Sequence, residues 1–190
     1  MKKLFVLLTI LALVVLAGCQ PKDPFEEFLD TMNKEENAEM VLNMEVPFFG
    51  EVEVIMELDG NKTHTSEFLT LPETYTEEVD GVTYQYMKNL NGAWEKSVQE
   101  DTEDDDTGME VVDELKYEDF TKLEDGRYEL NADKKEGYQV NSLIIELTDT
   151  GAIMTMTVKE QGIILEMEIT IRKIGEVKIT LPVVNSSTAA

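Results

Sequence analysis

From Ala38 onward the chain alternates apolar and polar residues with a period of two, and this limits its possible folds more than any other feature. Met40, Leu42, Met44 and Val46 alternate with Glu39, Val41, Asn43 and Glu45. After Pro47–Gly50, Val52, Val54, Met56 and Leu58 alternate with Glu51, Glu53, Ile55 and Glu57. Successive side chains of a strand point to opposite faces, so both segments predict strands with one oily and one acidic face. The turn chemistry agrees. Asp59-Gly60-Asn61 closes the second strand, and a weaker Thr-rich strand follows over 62–69. Asp80-Gly81, flanked by strands over 74–79 and 82–88, has the residues of a two-residue type I′ hairpin. Asn91-Gly92 leads into 93–98, which carries Trp94. Further strands are expected over 127–131, 141–148, 152–159, 163–172 and 176–181, with hairpin-length connections at Thr150-Gly151 and Gln161-Gly162.

That makes about eleven strands joined by tight turns, an antiparallel meander. Strands and helices do not alternate, which argues against a parallel sheet. Two helical segments interrupt the pattern. Asp23 can cap a first helix, Pro24 suits its first position, and Phe25, Phe28, Leu29 and Met32 form one apolar stripe. A second, more ragged helix is expected from about Met109 to Leu123, ended by Gly126. A long twisted sheet with one apolar face must curl or be covered. Two short helices cover only part of so large a face.

The first residues have a different character. Lys2 and Lys3 precede an apolar run from Leu4 to Leu16, closed by Leu16-Ala17-Gly18-Cys19. This is a secretory signal with small residues at the cut, and the run is short for a membrane span. It resembles the lipobox of bacterial lipoproteins, which implies cleavage of residues 1–18 and diacylglycerol attachment to Cys19. Cys19 is the only cysteine, so it has no disulfide partner within the chain. Two acyl chains are enough for stable anchoring. The expected organisation is a signal peptide over 1–18, a short lipidated tether over 19–23, one domain over 24–182 and a loose tail over 183–190. The expected location is the extracytoplasmic side of the cell membrane.

Loss of the signal leaves 14 basic against 40 acidic residues, a net charge of −26. So acidic a chain lacks the counterion release that binds nucleic acid. Anionic headgroups and wall polymers should repel it. The segment 100–108, EDTEDDDTG, has no apolar residue and reads as a solvated acidic loop.

Four segments carry a family resemblance. They are PFEEFLDTMNK running into AEMVLNMEV, TYTEEVDGVTYQYMKNLNGAWEKS, LKYEDFTKLEDGRYELNA, and the closing ITLP at Ile179 to Pro182. Together the chain resembles the LolA-like superfamily, which includes the bacterial lipoprotein carrier and lipid-binding lipoproteins of the LppX/LprG type. The resemblance implies a mainly β (α+β) fold: one curved antiparallel sheet of about eleven strands, forming an open half-barrel whose concave face is covered by two short helical segments. It also implies a hydrophobic cavity for acyl chains. The strong acidity departs from the lipoglycan carriers of that family, which face anionic headgroups.

The candidate lining of such a cavity is the helix stripe Phe25, Phe28 and Met32 with Met40, Leu42, Met44, Val54 and Met56. Met156, Leu165, Met167 and Ile169 complete it. Methionine suits a surface that must fit variable apolar ligands; ordinary core filling is the alternative. Tyr75, Tyr84, Tyr86 and Trp94 read as cross-strand packing or as the mouth of a cavity. Asp101, Glu103 and Asp105 could offer oxygen ligands to a hard cation, but their spacing is not that of an EF-hand. His64 is the only histidine, and no nucleophile motif accompanies it. No catalytic residue and no cofactor is assigned. The expected partners are membrane lipid, through acylated Cys19, and an apolar ligand. The alternative is a surface module with a filled core, its acidic face turned to a protein or a cation.

Overall fold

The computed structural model describes residues 21–99, 115–160 and 163–184. The signal segment, Cys19, the acidic loop 100–108 with its candidate Asp101, Glu103 and Asp105, the turn at Gln161-Gly162 and residues 185–190 lie outside the described residues.

The described chain opens with helix α1 (Pro24–Lys34). The Asp23 carboxylate accepts a hydrogen bond from the Phe25 amide at 2.9 Å, satisfying one orphan donor of the first turn. Glu26 and Glu27 lie in that first turn and Lys34 in the last, both favourable to the helix dipole. Phe25, Phe28 and Leu29 are buried on one face, as the spacing of the stripe requires.

Eleven strands follow. They are β1 (Asn37–Val46), β2 (Gly50–Asp59), β3 (Lys62–Thr65), β4 (Thr74–Val79), β5 (Val82–Lys88), β6 (Trp94–Val98), β7 (Phe120–Lys122), β8 (Tyr128–Leu130), β9 (Ser142–Thr148), β10 (Gly151–Glu160) and β11 (Ile163–Arg172). They form one open antiparallel sheet in the order β6-β5-β4-β3-β2-β1-β11-β10-β9-β8-β7. The fold is mainly β, with a curved sheet whose two edges are β6 and β7. Asp80 and Gly81 both take positive φ, 54° and 76°, as a type I′ turn requires.

The count of eleven strands agrees with the sequence pattern, but two members differ. No helix runs through the described end of the expected 109–123 segment. Tyr117–Asp119 is a single 3-10 turn, and Phe120–Lys122 is strand β7. Phe120 pairs with Leu130 and Lys122 with Tyr128, so a local hairpin with β8 takes residues whose helical period was weak. The two covering helices of the expected fold are therefore one among the described residues, α1. Residues 176–181 are the second difference: they form no strand. The chain leaves β11 in the middle of the sheet, between β1 and β10, where no free edge remains. The alternation is still used, since Val177 and Ile179 are buried while Lys178 and Thr180 are exposed. The Ile179 amide donates to the Asp59 carboxylate at 2.9 Å, which ties this extended segment to the end of β2.

Candidate functional site

Register decides which side chains share a face. Met56, Met40, Ile171, Ala152 and Leu147 form one row across five strands. Val54, Leu42, Ile169, Met154 and Ile145 form the next, and Val52, Met44, Met167, Met156 and Leu143 a third. Beyond them Leu165 pairs with Val158. All nine strand residues of the candidate lining therefore lie on one face of the sheet, the face against which α1 packs.

Burial divides that face in two. α1 sits over the β7–β10 side. The Phe25 ring lies 4.6 Å from Tyr128 and 5.1 Å from Phe120, with Phe28 stacked at 6.4 Å. This seat is closed by polar groups at its margin. The Tyr128 hydroxyl donates to Asp23 Oδ1 at 2.5 Å, and Lys122 Nζ lies 2.9 Å from Asp23 Oδ2. Burial pushes the Asp23 carboxyl up, but the hydrogen bonds from Tyr128, Lys122 and the Phe25 amide outweigh it and hold it below its ordinary range. Met156, Leu143, Met154 and Ile145 are buried in this core, with Met40 and Ile169. Met32, Leu42, Met56 and Met167 are half-buried and pack against it. Met44 and Leu165 are also half-buried, yet stand apart from it. The part of the lining beneath α1 is thus filled core, and the part around Met44 and Leu165 is partly open.

The opposite face carries Tyr75, Tyr84, Tyr86 and Trp94. Tyr75 pairs with Tyr86 and Lys88 with Trp94, all in register with His64 and Glu57 rather than with the methionine rows. This rules out their use as the mouth of a cavity on the methionine side. They pack across strands instead. His64 stacks on Tyr75 at 4.3 Å, and Tyr75 meets Trp94 edge-on at 5.3 Å. His64 Nδ1 lies 2.8 Å from Glu57, and Nε2 lies 3.2 Å from Glu73. Lys88 reaches Glu73 at 2.9 Å and lies over the Trp94 ring at 4.8 Å. The Lys88 hydrogen bond, ahead of the opposing effect of burial, holds the Glu73 carboxyl below its ordinary range. The sequence left His64 without companions because Glu57 and Glu73 join it only through the β2–β3–β4 register.

A buried charge on this outward face also escaped the sequence reading. Glu39 lies in β1 with its side chain 5% exposed. It accepts from Arg172 Nε and from Lys173 Nζ, the latter at 2.5 Å. Burial raises its pKa, but the two cations more than reverse this and leave the carboxyl ionised below the usual range.

Two surface clefts accompany these faces. The larger, of about 630 Å³, is bordered by Asn33, Leu115, Asp119, Asp133 and Lys134. An ion pair stands at its border: Lys134 Nζ lies 2.9 Å from Asp119, and this hydrogen bond keeps that carboxyl low. The smaller, of about 390 Å³, lies between Leu71, Pro72, Glu73, Lys88 and Leu90. Neither is lined by the methionine rows. Among the described residues no group of three His, Cys, Asp or Glu side chains is placed to hold a metal ion, and no helix is long and apolar enough to cross a membrane. In comparisons with known proteins, no family model matches this chain and no curated protein is similar to it.

Proposed function

We propose that the chain is a bacterial lipoprotein without catalytic activity, anchored through acylated Cys19, that holds an apolar ligand against the concave face of its half-barrel. One observation supports the reading best. The apolar rows run past the cover of α1, leaving Met44 and Leu165 half-buried beside buried Val52 and Val54, all outside the main core cluster. An acyl chain laid along this stretch removes apolar surface from water at about 25 cal/mol per Å². The methionines give the surface the adaptability that a variable ligand needs. The ligand would lie beside α1 and not beneath it, since Met154, Met156, Leu143 and Ile145 already fill the space under the helix.

The test is mass spectrometry of organic extracts from protein purified from its native membrane, with titration of a fluorescent fatty acid into the extracted protein. A copurifying apolar compound, displaced by the probe, is expected. Absence of any such compound together with no probe binding would remove the reading. The alternative, a surface module with a filled core, draws its support from the dense packing under α1 and from the His64–Tyr75–Trp94 cluster on the outward face.

A further inference from the structure

Strands β3 to β6 extend the methionine face beyond β2 and change its chemistry. The register sets Thr65 beside Met56 and Thr63 beside Leu58. The same rows continue through Thr74 and Thr76 on β4 and reach Met87 and Gln85 on β5. Thr83 stands two residues from Gln85 and so lies on this face as well. Thr63, Thr65, Thr76, Thr83 and Gln85 are half-buried, and none of them has a side-chain hydrogen-bond partner among the described residues. The Thr74 hydroxyl is served by the Pro72 carbonyl at 3.0 Å. The outward face of the same strands is the opposite case. There His64, Tyr75 and Lys88 share the Glu73 carboxylate, and the Tyr86 hydroxyl donates to Glu77. Those polar groups serve one another and hold the strands together. The hydroxyls of the methionine face serve nothing in the fold and remain open to a ligand.

We infer that these threonines receive the headgroup of the apolar ligand, and that the ligand is a lipid whose head is uncharged and rich in hydroxyls. The inference rests on the reading of the methionine rows as an acyl site. Charge selects the head. Among the described strand residues Lys62, Lys88, Lys96, Lys159 and Arg172 all fall on the outward face. Lys122 falls on the methionine face, but it is committed to Asp23 at 2.9 Å. A phosphate or carboxylate head would therefore meet no free strand cation. It would instead face Glu78 and Glu95, which border the threonines on β4 and β6. A cationic head would gain two exposed carboxylates, worth little in water, and would leave the hydroxyls unused. Hydroxyls on the ligand match the threonines and the Gln85 amide, which both donate and accept. From Met44 to Thr65 is two strand spacings and four residues along β2, about 16 Å, a length that one lipid molecule spans.

The test displaces a fluorescent fatty acid from the delipidated full chain with lipids that share the same oleoyl chains. They are monoglucosyl dioleoylglycerol, dioleoylphosphatidylglycerol and dioleoyl trimethylammonium propane. The glucosyl lipid should displace the probe at about a tenth of the concentration that either charged lipid needs, the effect of one or two net hydrogen bonds. Thr65→Val with Thr76→Val keeps the branched shape and the strand propensity. It should cut that advantage to about threefold or less without weakening the probe or lowering the unfolding midpoint. Thr155→Val, on the outward face of β10, should leave the advantage intact. Equal displacement by all three lipids overturns the headgroup inference. So does a preference for a charged lipid, or an advantage that survives the double substitution. In each of those cases the displaced probe leaves the acyl site standing. A chain that never binds the probe removes the acyl site itself, and this inference with it.

Discussion

Phe25→Ala should cost this domain about 4 kcal/mol, a large share of the roughly 5–15 kcal/mol that holds an ordinary domain together. Phe25 has no exposed surface. Its ring contacts span both sides of the helix–sheet interface: Phe28 and Tyr117 at 6.4 and 6.1 Å, Phe120 and Tyr128 at 5.1 and 4.6 Å. Truncating a buried Phe to Ala costs about 3–5 kcal/mol in transfer and cavity terms together. The upper half of that range applies because the cavity is walled by aromatic rings on strands and a capped helix, which relax poorly. Urea unfolding followed by circular dichroism, at fixed ionic strength, reads the change as a lower midpoint with an unchanged slope. Phe25→Leu keeps most of the volume and should lose only about 1 kcal/mol. Leu90→Ala, at a fully exposed turn, should stay within about 0.5 kcal/mol of the parent. A Phe25→Ala loss below about 1.5 kcal/mol would mean that α1 is not seated on the sheet in solution, and the ligand site proposed beside it would have no wall.

Further expectations can be checked with the same unfolding assay. Tyr128→Phe removes the hydroxyl that donates to Asp23 and should lower stability by about 1–2 kcal/mol, because Lys122 and the Phe25 amide still serve the carboxylate. Gly151→Ala should be far worse than a surface substitution, about 3 kcal/mol, since its Cβ would stand 1.9 Å from the Ile171 carbonyl oxygen; a neutral result would show that the β10–β11 register is wrong. Glu39 is ionised below the ordinary carboxylate range when folded, so the unfolded chain binds its proton first. Its stabilisation is present above about pH 4 and is lost as pH falls through the lower folded value. Relief of repulsion in a chain of net charge −24 acts in the opposite direction, so the difference between the parent and Glu39→Gln across that window isolates the group. For the same reason, added salt should raise the melting temperature of the parent, which a calorimetric scan would show.

The sequence was most informative where the period of two coincided with firm turn chemistry. β1, β2, β4 and β5 stand within a residue or two of where the pattern put them, because Asp-Gly and Asn-Gly turns fixed their ends. Where the pattern was blurred, long-range partners decided. Tyr117–Lys122 has no clear period, and the β8 hairpin drew it into the sheet as β7. Over 176–181 the period was read correctly but assigned to the wrong structure, since a strand needs an open edge and β11 has none. The face of the methionines follows from parity alone. The extent of α1 over that face does not, because it depends on the angle at which the helix crosses the strands. The outward clusters at Glu39 and His64 were invisible for a related reason: each is assembled from strands that only the register brings together.

The seam between β1 and β11 bears on how the molecule assembles. Glu39 and Arg172 are 133 positions apart, so β1 must wait for nearly the whole chain before its second neighbour exists. Pairings this distant make for slow folding, on the scale of milliseconds to seconds. Meanwhile the free edge of β1 is a template for any extended chain. Glu39 guards it. A stray strand without two cations at that position would trap a bare carboxylate, whereas β11 arrives with Arg172 and Lys173 in place. The buried ion cluster thus favours β11 over a strand without those cations at this closure of the sheet.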